Sequence, residues 1–456
     1  MNSEFLSKSL GSIHWCQLIF RQNNIIMGKV SLAIGSFAET GLVPGLISVL
    51  QTMSIVKPTS IQWQGIPSLI NTKAHHLITA QTGTGKTLTY GLPLFHLLKA
   101  QEVEEKKFLT ESRAPRSVIV VPNRELARQV ESVFNGFKHE VRLKTLSIYS
   151  GQKLALEEKE LKDGVDILIG TPDRIDKHRT EKNLIFDKVT EVVIDESDTI
   201  IDAGFSRHLK IYLEELQLKS RFTFVSATFP SSLKHFVTQH FSFDEQSNRY
   251  IKQIIEKSTH LNLSHLKHDF IQLPEYDKNP LFYKVLEEIK SSIGSGSCIV
   301  FCNNIQSARS VEHTMNERGY ISVSLHGDVP NKQRLSNLEK FTSQEVKFLV
   351  CTDLGSRGLD FPFVNYVVQY DFPKTQSDYV HRAGRAGRAG RPGTIISFYR
   401  KYDLPMVNEL KVSFEKKKPL TMNTSAFSMK NKEVFVKAKQ SPQQKLNKIL
   451  NKTKEN

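Results

Sequence analysis

Residues 78–87 read ITAQTGTGKT, a hydrophobic lead-in, two glycines two apart, then Lys86 and Thr87. Backbone N–H groups that wrap a phosphate must come close to its oxygens, which residues without a side chain, Gly83 and Gly85, allow. The helix that opens at Gly85–Lys86, apolar at Leu88, Tyr90, Leu92 and Leu94, would add unpaired N–H groups and a positive dipole end. Lys86 would reach terminal phosphates, and Thr87 would offer a hydroxyl to Mg²⁺. The complete pattern has Gly in its first position, where this chain has Ala80. On these residues alone the stretch reads as a phosphate cradle between a strand and a helix, or else as a glycine-rich turn.

Apolar runs repeat the strand-then-helix rhythm around it. SVIVVP (117–122) lacks alternation, as expected of a parallel strand buried on both faces. NRELARQVESVFNGF follows as a helix, apolar at Leu126, Val130, Val133 and Phe137. LKTLSIYSG (143–151), VDILIGTP (165–172), EVVIDESD (191–198) and RFTFVSAT (221–228) complete the set. Such alternation implies a doubly wound parallel sheet with ligands at the carboxyl ends of its strands. Upstream, Leu42, Leu46 and Leu50 share a helical face, and Lys57-Pro58-Thr59 stops that helix and opens another with Thr59 as N-cap. The polar segment 101–116 reads as a solvated loop. Between Phe241 and Leu273 the rhythm fails, and a linker is expected over 258–268. A second rhythm follows: HDFIQL, a helix at 278–292, SCIVFC (297–302), a helix at 305–318, ISVSLHG (321–327), a helix at 330–342, VKFLVCTD (346–353), VNYVVQYD (364–371) and TIISF (394–398). The expected fold class is α/β, two tandem domains over 36–257 and 269–400, each a parallel sheet flanked by helices.

A chain of 456 residues is too long for one core, in keeping with two domains. Its 62 basic and 47 acidic residues leave a net charge of +15, which favours a polyanionic partner, nucleic acid before membrane. No apolar stretch approaches the roughly 18 residues of a membrane helix, so no membrane insertion is expected. The cysteines (Cys16, Cys298, Cys302, Cys351) form no disulfide framework, and Cys298 and Cys302 share one side of a strand as buried thiols. Residues 1–35 hold Lys8, Arg21 and Lys29, with Glu4 the only acid before Glu39. An acid-poor, amphipathic leader suits a mitochondrial presequence, or else a lead-in or cap to the first domain. Residues 401–456 hold 13 lysines and 5 acids, a net of +8, and read as a partly disordered basic tail, solvated or in contact with RNA.

Asp195-Glu196 end the buried run Val192-Val193-Ile194. Adjacent acids there are costly unless something pairs with them, and Mg²⁺ on a nucleotide is the candidate. Asp195 would hold the metal through water, and Glu196 would orient and deprotonate the attacking water. In YVHRAGRAGR (379–388), Arg385 and Arg388 share a helical face. They would act as arginine fingers from across an interdomain cleft, or form a basic RNA patch. RGLD (357–360) places another Arg and Asp360 at a strand end. Gln62, with a donor and an acceptor, can read the edge of an adenine.

Taken in order, Gln62, AQTGTGKT, PNRELA (122–127), SG (150–151), TPDR (171–174), DESD (195–198), SAT (226–228), LHGDVPNKQR (325–334), TDLGSRGLD (352–360) and HRAGRAGR (381–388) resemble a DEAD-box RNA helicase over about 37–398. The resemblance implies two RecA-like domains that close around ATP, Mg²⁺ and single-stranded RNA. It implies that Phe37, Thr59 and Gln62 read adenine. Ala80, Gln81, Thr82, Gly83, Thr84 and Gly85, with Lys86 and Thr87, would bind phosphates and Mg²⁺, and Asp360, Arg385 and Arg388 would complete the nucleotide site from the second domain. Arg124, Gly151, Thr171, Arg174 and Thr352 would line the RNA backbone path, and Ser226 and Thr228 would link ATP state to closure. Ala80 is common in that family. The departures are Ser197 for Ala, Asn123 for Thr, Asp173 for Gly, Ser150 for Gly, Asn331 for Gln and Ser54 for Gly. Asp173 would weaken RNA binding unless Arg174 or Lys177 offsets its charge. The expected activity is an RNA-stimulated ATPase that unwinds short duplexes or remodels ribonucleoprotein particles, in ribosome assembly or rRNA processing. The mitochondrial matrix is favoured over nucleolus or cytoplasm. The alternative is an ATP-gated RNA clamp with little unwinding.

Overall fold

The computed structural model describes residues 35–416 apart from 82, 217–218, 257–262, 264–265, 275–276, 357–358, 360, 362 and 388–390. The expected leader (save its last residue), residues 417–456, Thr82, Asp360 and Arg388 thus lie outside the described residues. The first sheet consists of β1 (His75–Thr79), β2 (Ser117–Val120), β3 (Thr145–Ile148), β4 (Ile167–Gly170), β5 (Glu191–Ile194), β6 (Arg221–Ser226) and β7 (Ile251–Ile255), in the order β3-β4-β2-β5-β6-β1-β7. The second consists of β8 (Lys267–Gln272), β9 (Ser297–Cys302), β10 (Ser322–Leu325), β11 (Phe348–Thr352), β12 (Val364–Gln369) and β13 (Thr394–Tyr399), in the order β10-β11-β9-β12-β13-β8. All these pairings are parallel.

The apolar runs without alternation are explained by burial on both faces. In β2, Ile119 joins a core with Phe95 and Phe134, while its neighbours Val118 and Val120 join a second core with Tyr212 and Phe236. In the other domain, Ile299 and Phe301 face one core, and Cys298, Val300 and Cys302 face the opposite one. The two thiols are free and buried, and burial pushes both well above the ordinary thiol range.

Some segments differ from expectation. The helix that follows the phosphate cradle expected at residues 78–87, the P-loop, runs from Lys86 to Glu105, into the stretch expected to be a solvated loop. Glu102 on its last turns is buried because it holds Arg116 at 2.6 Å, and Arg116 in turn holds Asp166 at 2.8 Å. The polar stretch after Phe241 contains β7, which extends the sheet along β1. β8 opens at Lys267, within the range expected as linker. Residues 401–416, assigned to the basic tail on charge alone, include the helix Leu404–Lys416, whose Met406, Val407 and Leu410 are buried in the second domain's core. Phe414 on that helix stacks on His268 of β8, with ring centroids 4.0 Å apart.

β1 carries two buried histidines directly before the P-loop. His75 Nδ1 accepts the Phe222 N–H at 3.0 Å, so this nitrogen must be unprotonated. Burial, helped by Arg221, lowers the His75 pKa to about 4 and that of His76 to about 3. Among the described residues, no helix is long and apolar enough to cross a membrane.

Candidate nucleotide and RNA site

The carboxyl end of β1 delivers the chain into the glycine loop. Gly83 and Gly85 adopt φ of 84° and 86°, the left-handed region that favours glycine. A Cβ on Gly85 would also stand 2.3 Å from Gln62 Nε2, so any other residue here would displace the Gln62 amide as well as strain the backbone. Lys86 Nζ donates to the carbonyls of Ala80 and Gln81, both at 2.8 Å, and so lies back across the loop. Thr59 and Gln62 grip the same loop from behind. Thr59 Oγ1 donates to the Thr84 carbonyl at 2.7 Å, and Gln62 Nε2 to the Gly85 carbonyl at 3.2 Å. Gln62 Oε1 accepts the Thr59 N–H at 2.9 Å in a capping box. Both ends of the Gln62 amide are therefore engaged by protein, a bracing role that the sequence reading missed. Phe37, expected beside adenine, is 2% exposed and belongs to the first domain's core, so it has almost no surface to offer a base.

Asp195 and Glu196 follow β5 at the neighbouring strand end. Asp195 accepts from Tyr90 Oη and from the Glu196 N–H, each at 2.9 Å. Burial, and then the adjacent Glu196, push its pKa up to about 6 against the pull of Lys86 and Tyr90. A cation in the site would restore its charge. Glu196 sits at φ 49°, ψ 46°, and its buried Oε2 has no hydrogen-bond partner among the described residues. A cradle of N–H groups, a lysine, a buried acid and a carboxylate oxygen awaiting a donor fit a Mg²⁺-bound nucleoside triphosphate and an attacking water. Ser197 settles the first departure: its hydroxyl donates to the Val225 carbonyl at 3.1 Å, so the extra polar atom is satisfied.

Asp198 is the hub of the site, although the sequence reading gave it no role. Its Oδ2 accepts from Thr228 Oγ1 at 2.5 Å, from the Thr228 N–H at 3.2 Å and from His381 Nε2 at 2.8 Å. Thr228 Oγ1 also meets Ser377 Oγ at 2.9 Å, and Ser226 Oγ donates to the Thr228 carbonyl at 2.5 Å. Ser377 and His381 belong to the helix Gln376–Ala383 of the second domain. The strand end that carries the acids is thereby tied to the other domain. Both Asp198 and His381 lie within motifs that were read for their neighbours, DESD and HRAGRAGR. Arg385 is 2% exposed and donates to the carbonyls of His381 and Leu359 in its own domain. Arg382 clamps both oxygens of Asp353 at 2.7 Å.

The residues expected along an RNA backbone are held in several ways. Asn123 caps the helix Arg124–Asn135 by accepting the Leu126 N–H at 2.9 Å, work that a Thr also performs. Arg124 pairs with Glu125 at 2.9 Å, and Glu125 pairs with Arg334 of the second domain. Gly151, at φ 103°, receives Asn331 Nδ2 on its carbonyl at 3.1 Å, so Asn331 joins the domains here. Thr171 is the N-cap of the helix Pro172–Thr180, and Thr352 ends β11 half-buried. Arg174 differs from expectation. Its guanidinium is buried against Glu157 at 2.7 Å and the Gln152 carbonyl at 3.0 Å, with His178 on the same carboxylate. It is committed within the domain and does not offset Asp173, whose carboxylate instead lies 3.4 Å from the His208 imidazole.

Two family models match the chain: the DEAD/DEAH box helicase over residues 59–236 and the helicase conserved C-terminal domain over 279–390. DEAD-box ATP-dependent RNA helicase 39 of Arabidopsis thaliana is 34% identical over 394 residues, covering 84% of this chain and 61% of that protein. The mouse Probable ATP-dependent RNA helicase DDX28 is 30% identical over 410 residues, covering 85% of this chain and 74% of that protein. Among solved structures, S. cerevisiae Dbp5 bound to RNA and ADP BeF3 superposes with a TM-score of 0.70 at 24% identity, over 83% of this chain and 93% of that one, a likeness of fold. With its two RecA-like domains in tandem, the chain belongs to the DEAD-box family of ATP-dependent RNA helicases.

Proposed function

We propose that this chain is an RNA-stimulated ATPase that locally separates short RNA duplexes or remodels RNA–protein complexes. The observation that supports it best is the Asp198 carboxylate, shared by Thr228 of the first domain and His381 of the second. One acidic strand end thereby serves both the water-activating position, Glu196, and the contact between domains. RNA that brings the domains together would complete this arrangement, and turnover would follow RNA binding. Mg²⁺ carried in with ATP would be held by Thr87 and, through water, by Asp195, and would neutralise phosphate charge. Lys86 would exchange its loop carbonyls for phosphate oxygens. Gln62 would read adenine while bracing the loop. Glu196 would take the proton of the attacking water, with Arg385 and Arg388 on the second-domain side. Arg124, Gly151, Thr171 and Thr352 would follow the RNA backbone. The setting we infer is ribosome assembly or rRNA processing in the mitochondrial matrix, on the strength of the acid-poor leader and the net charge of +15.

The test is ATP turnover with and without RNA, alongside displacement of a short duplex. Stimulation by RNA with displacement supports the proposal. RNA retained with a non-hydrolysable ATP analogue but no displacement with ATP would make the protein a clamp. Glu196→Gln should bind ATP and RNA yet hydrolyse about 10²–10⁴-fold more slowly, as for loss of a general base. A rate near the parent's would remove Glu196 from that role. A fluorescent fusion of residues 1–35 tests the location, and cytosolic signal would exclude the matrix.

A further inference from the structure

Tyr90 lies on the helix that follows the glycine loop and is 2% exposed. Its ring belongs to the first domain's apolar core, where it meets Phe134 with ring centroids 6.4 Å apart. A phenylalanine ring would fill the same space and would bring no buried hydroxyl in need of a partner. Packing alone thus gives no reason for the hydroxyl. It donates to Asp195 Oδ2 at 2.9 Å, across 105 positions of sequence. Thr87, three residues earlier and so on the same helical face, also hydrogen-bonds this hydroxyl. Thr87 and Asp195 are the two residues proposed to hold Mg²⁺, the first directly and the second through water. Tyr90 Oη therefore stands between them.

The supply of protons fixes the direction of each bond. A phenol has one proton to give, and an ionised carboxylate can only accept. Tyr90 gives its proton to Asp195, so towards Thr87 it can only accept. The Thr87 proton accordingly points at Tyr90, and the lone pairs of the threonine are left for a cation. On Asp195, Oδ1 accepts the Glu196 N–H at 2.9 Å while Oδ2 accepts Tyr90. One donor on each oxygen fixes the rotation of the carboxylate and leaves both oxygens a lone pair for metal-bound water. Without the hydroxyl, Thr87 could turn its proton towards the cation, and Asp195 would lose one of these two donors. Mg²⁺ demands near-ideal octahedral geometry, whereas Ca²⁺ takes more oxygens in looser arrangements. We propose that Tyr90 is a positioning residue whose hydroxyl aligns Thr87 and Asp195 as one unit and so makes the site prefer Mg²⁺ to larger divalent cations. The inference rests on the nucleotide-site reading and adds to it a group that touches neither nucleotide nor metal.

The experiment measures binding of a fluorescent, non-hydrolysable ATP analogue to the full chain, with saturating Mg²⁺, with saturating Ca²⁺ and with a chelator, for the parent and for Tyr90→Phe. The substitution removes one hydroxyl and no ring contact, so the variant should fold, and its melting temperature and nucleotide-free RNA binding check that it does. With Mg²⁺ the variant should bind the analogue on the order of 10-fold more weakly, as for loss of a group that orients a metal ligand. The loss with Ca²⁺ should be smaller, and with the chelator the two proteins should bind alike. Undiminished binding with Mg²⁺ would overturn the inference, and so would an equal loss with both cations. A loss that persists in full under the chelator would make the hydroxyl a structural part of the core and overturn the inference as well. A parent protein that binds the analogue as tightly with the chelator as with Mg²⁺ would instead overturn the metal site on which the inference rests.

Discussion

Ser197 and Gln62 show how much a single side chain reveals before its neighbours are known. Ser197 adds one hydroxyl to a strand-end loop, and the Val225 carbonyl absorbs it at 3.1 Å. Ser197→Ala should therefore leave turnover within about twofold and change stability by about 1 kcal/mol, the net worth of one hydrogen bond. Steady-state kinetics and a denaturant titration check both, and a large loss of rate would give the hydroxyl a part in the chemistry. That small effect was legible from the size and place of the residue. For Gln62 the sequence supplied a donor and an acceptor but not what meets them. The amide is engaged by Thr59 and Gly85, 3 and 23 positions away. Arg174 went astray for the same reason: a basic residue in an RNA-path motif is buried against Glu157, 17 positions upstream.

Strands were the most legible elements, because burial on both faces writes an unbroken apolar run. β7 escaped since IKQII is short, carries Lys252 and Gln253, and lies in a polar stretch. The end of the P-loop helix escaped because the charge of Glu102 looks solvated until Arg116 is placed beside it. β1 poses the opposite case, with two histidines wholly inside the sheet. Their folded pKa values, about 4 and about 3, lie below the ordinary 6.5. Between these limits the unfolded chain takes up protons that the folded chain refuses. Stability should therefore fall as pH drops from about 6.5 towards 4, by up to about 1.4 kcal/mol per pH unit for each histidine, and should be insensitive to these groups above 6.5. Urea midpoints across that range test this, and His76→Gln should flatten the slope. An unchanged slope would mean that His76 does not stay neutral.

Across the whole molecule, Asp198–His381, Thr228–Ser377, Glu125–Arg334 and Gly151–Asn331 bridge the two domains. The first two start from the DESD and SAT motifs of the first domain, and the last two join motifs that we propose line the RNA path. Their partners stand 149 to 209 positions apart, which is why motif order alone could name the domains and not the contacts. His381→Ala should retain ATP binding but lose about 10–100-fold of RNA stimulation, in the range of ordinary coupling energies. Nucleotide affinity and ATPase rate, each with and without RNA, separate the two effects. Equal loss with and without RNA would make His381 a structural residue of its own domain.

Glu196 occupies φ 49°, a backbone setting that disfavours any residue with a Cβ. Such a setting costs about 1–2 kcal/mol, part of which glycine gives back through its freedom in the unfolded chain. Glu196→Gly should consequently melt at a higher temperature than the parent while hydrolysing almost nothing, which calorimetry and phosphate release can show together. Selection for heat resistance and selection for turnover thus pull this codon in opposite directions. A lineage that no longer needed to split ATP would be free to drift to glycine here.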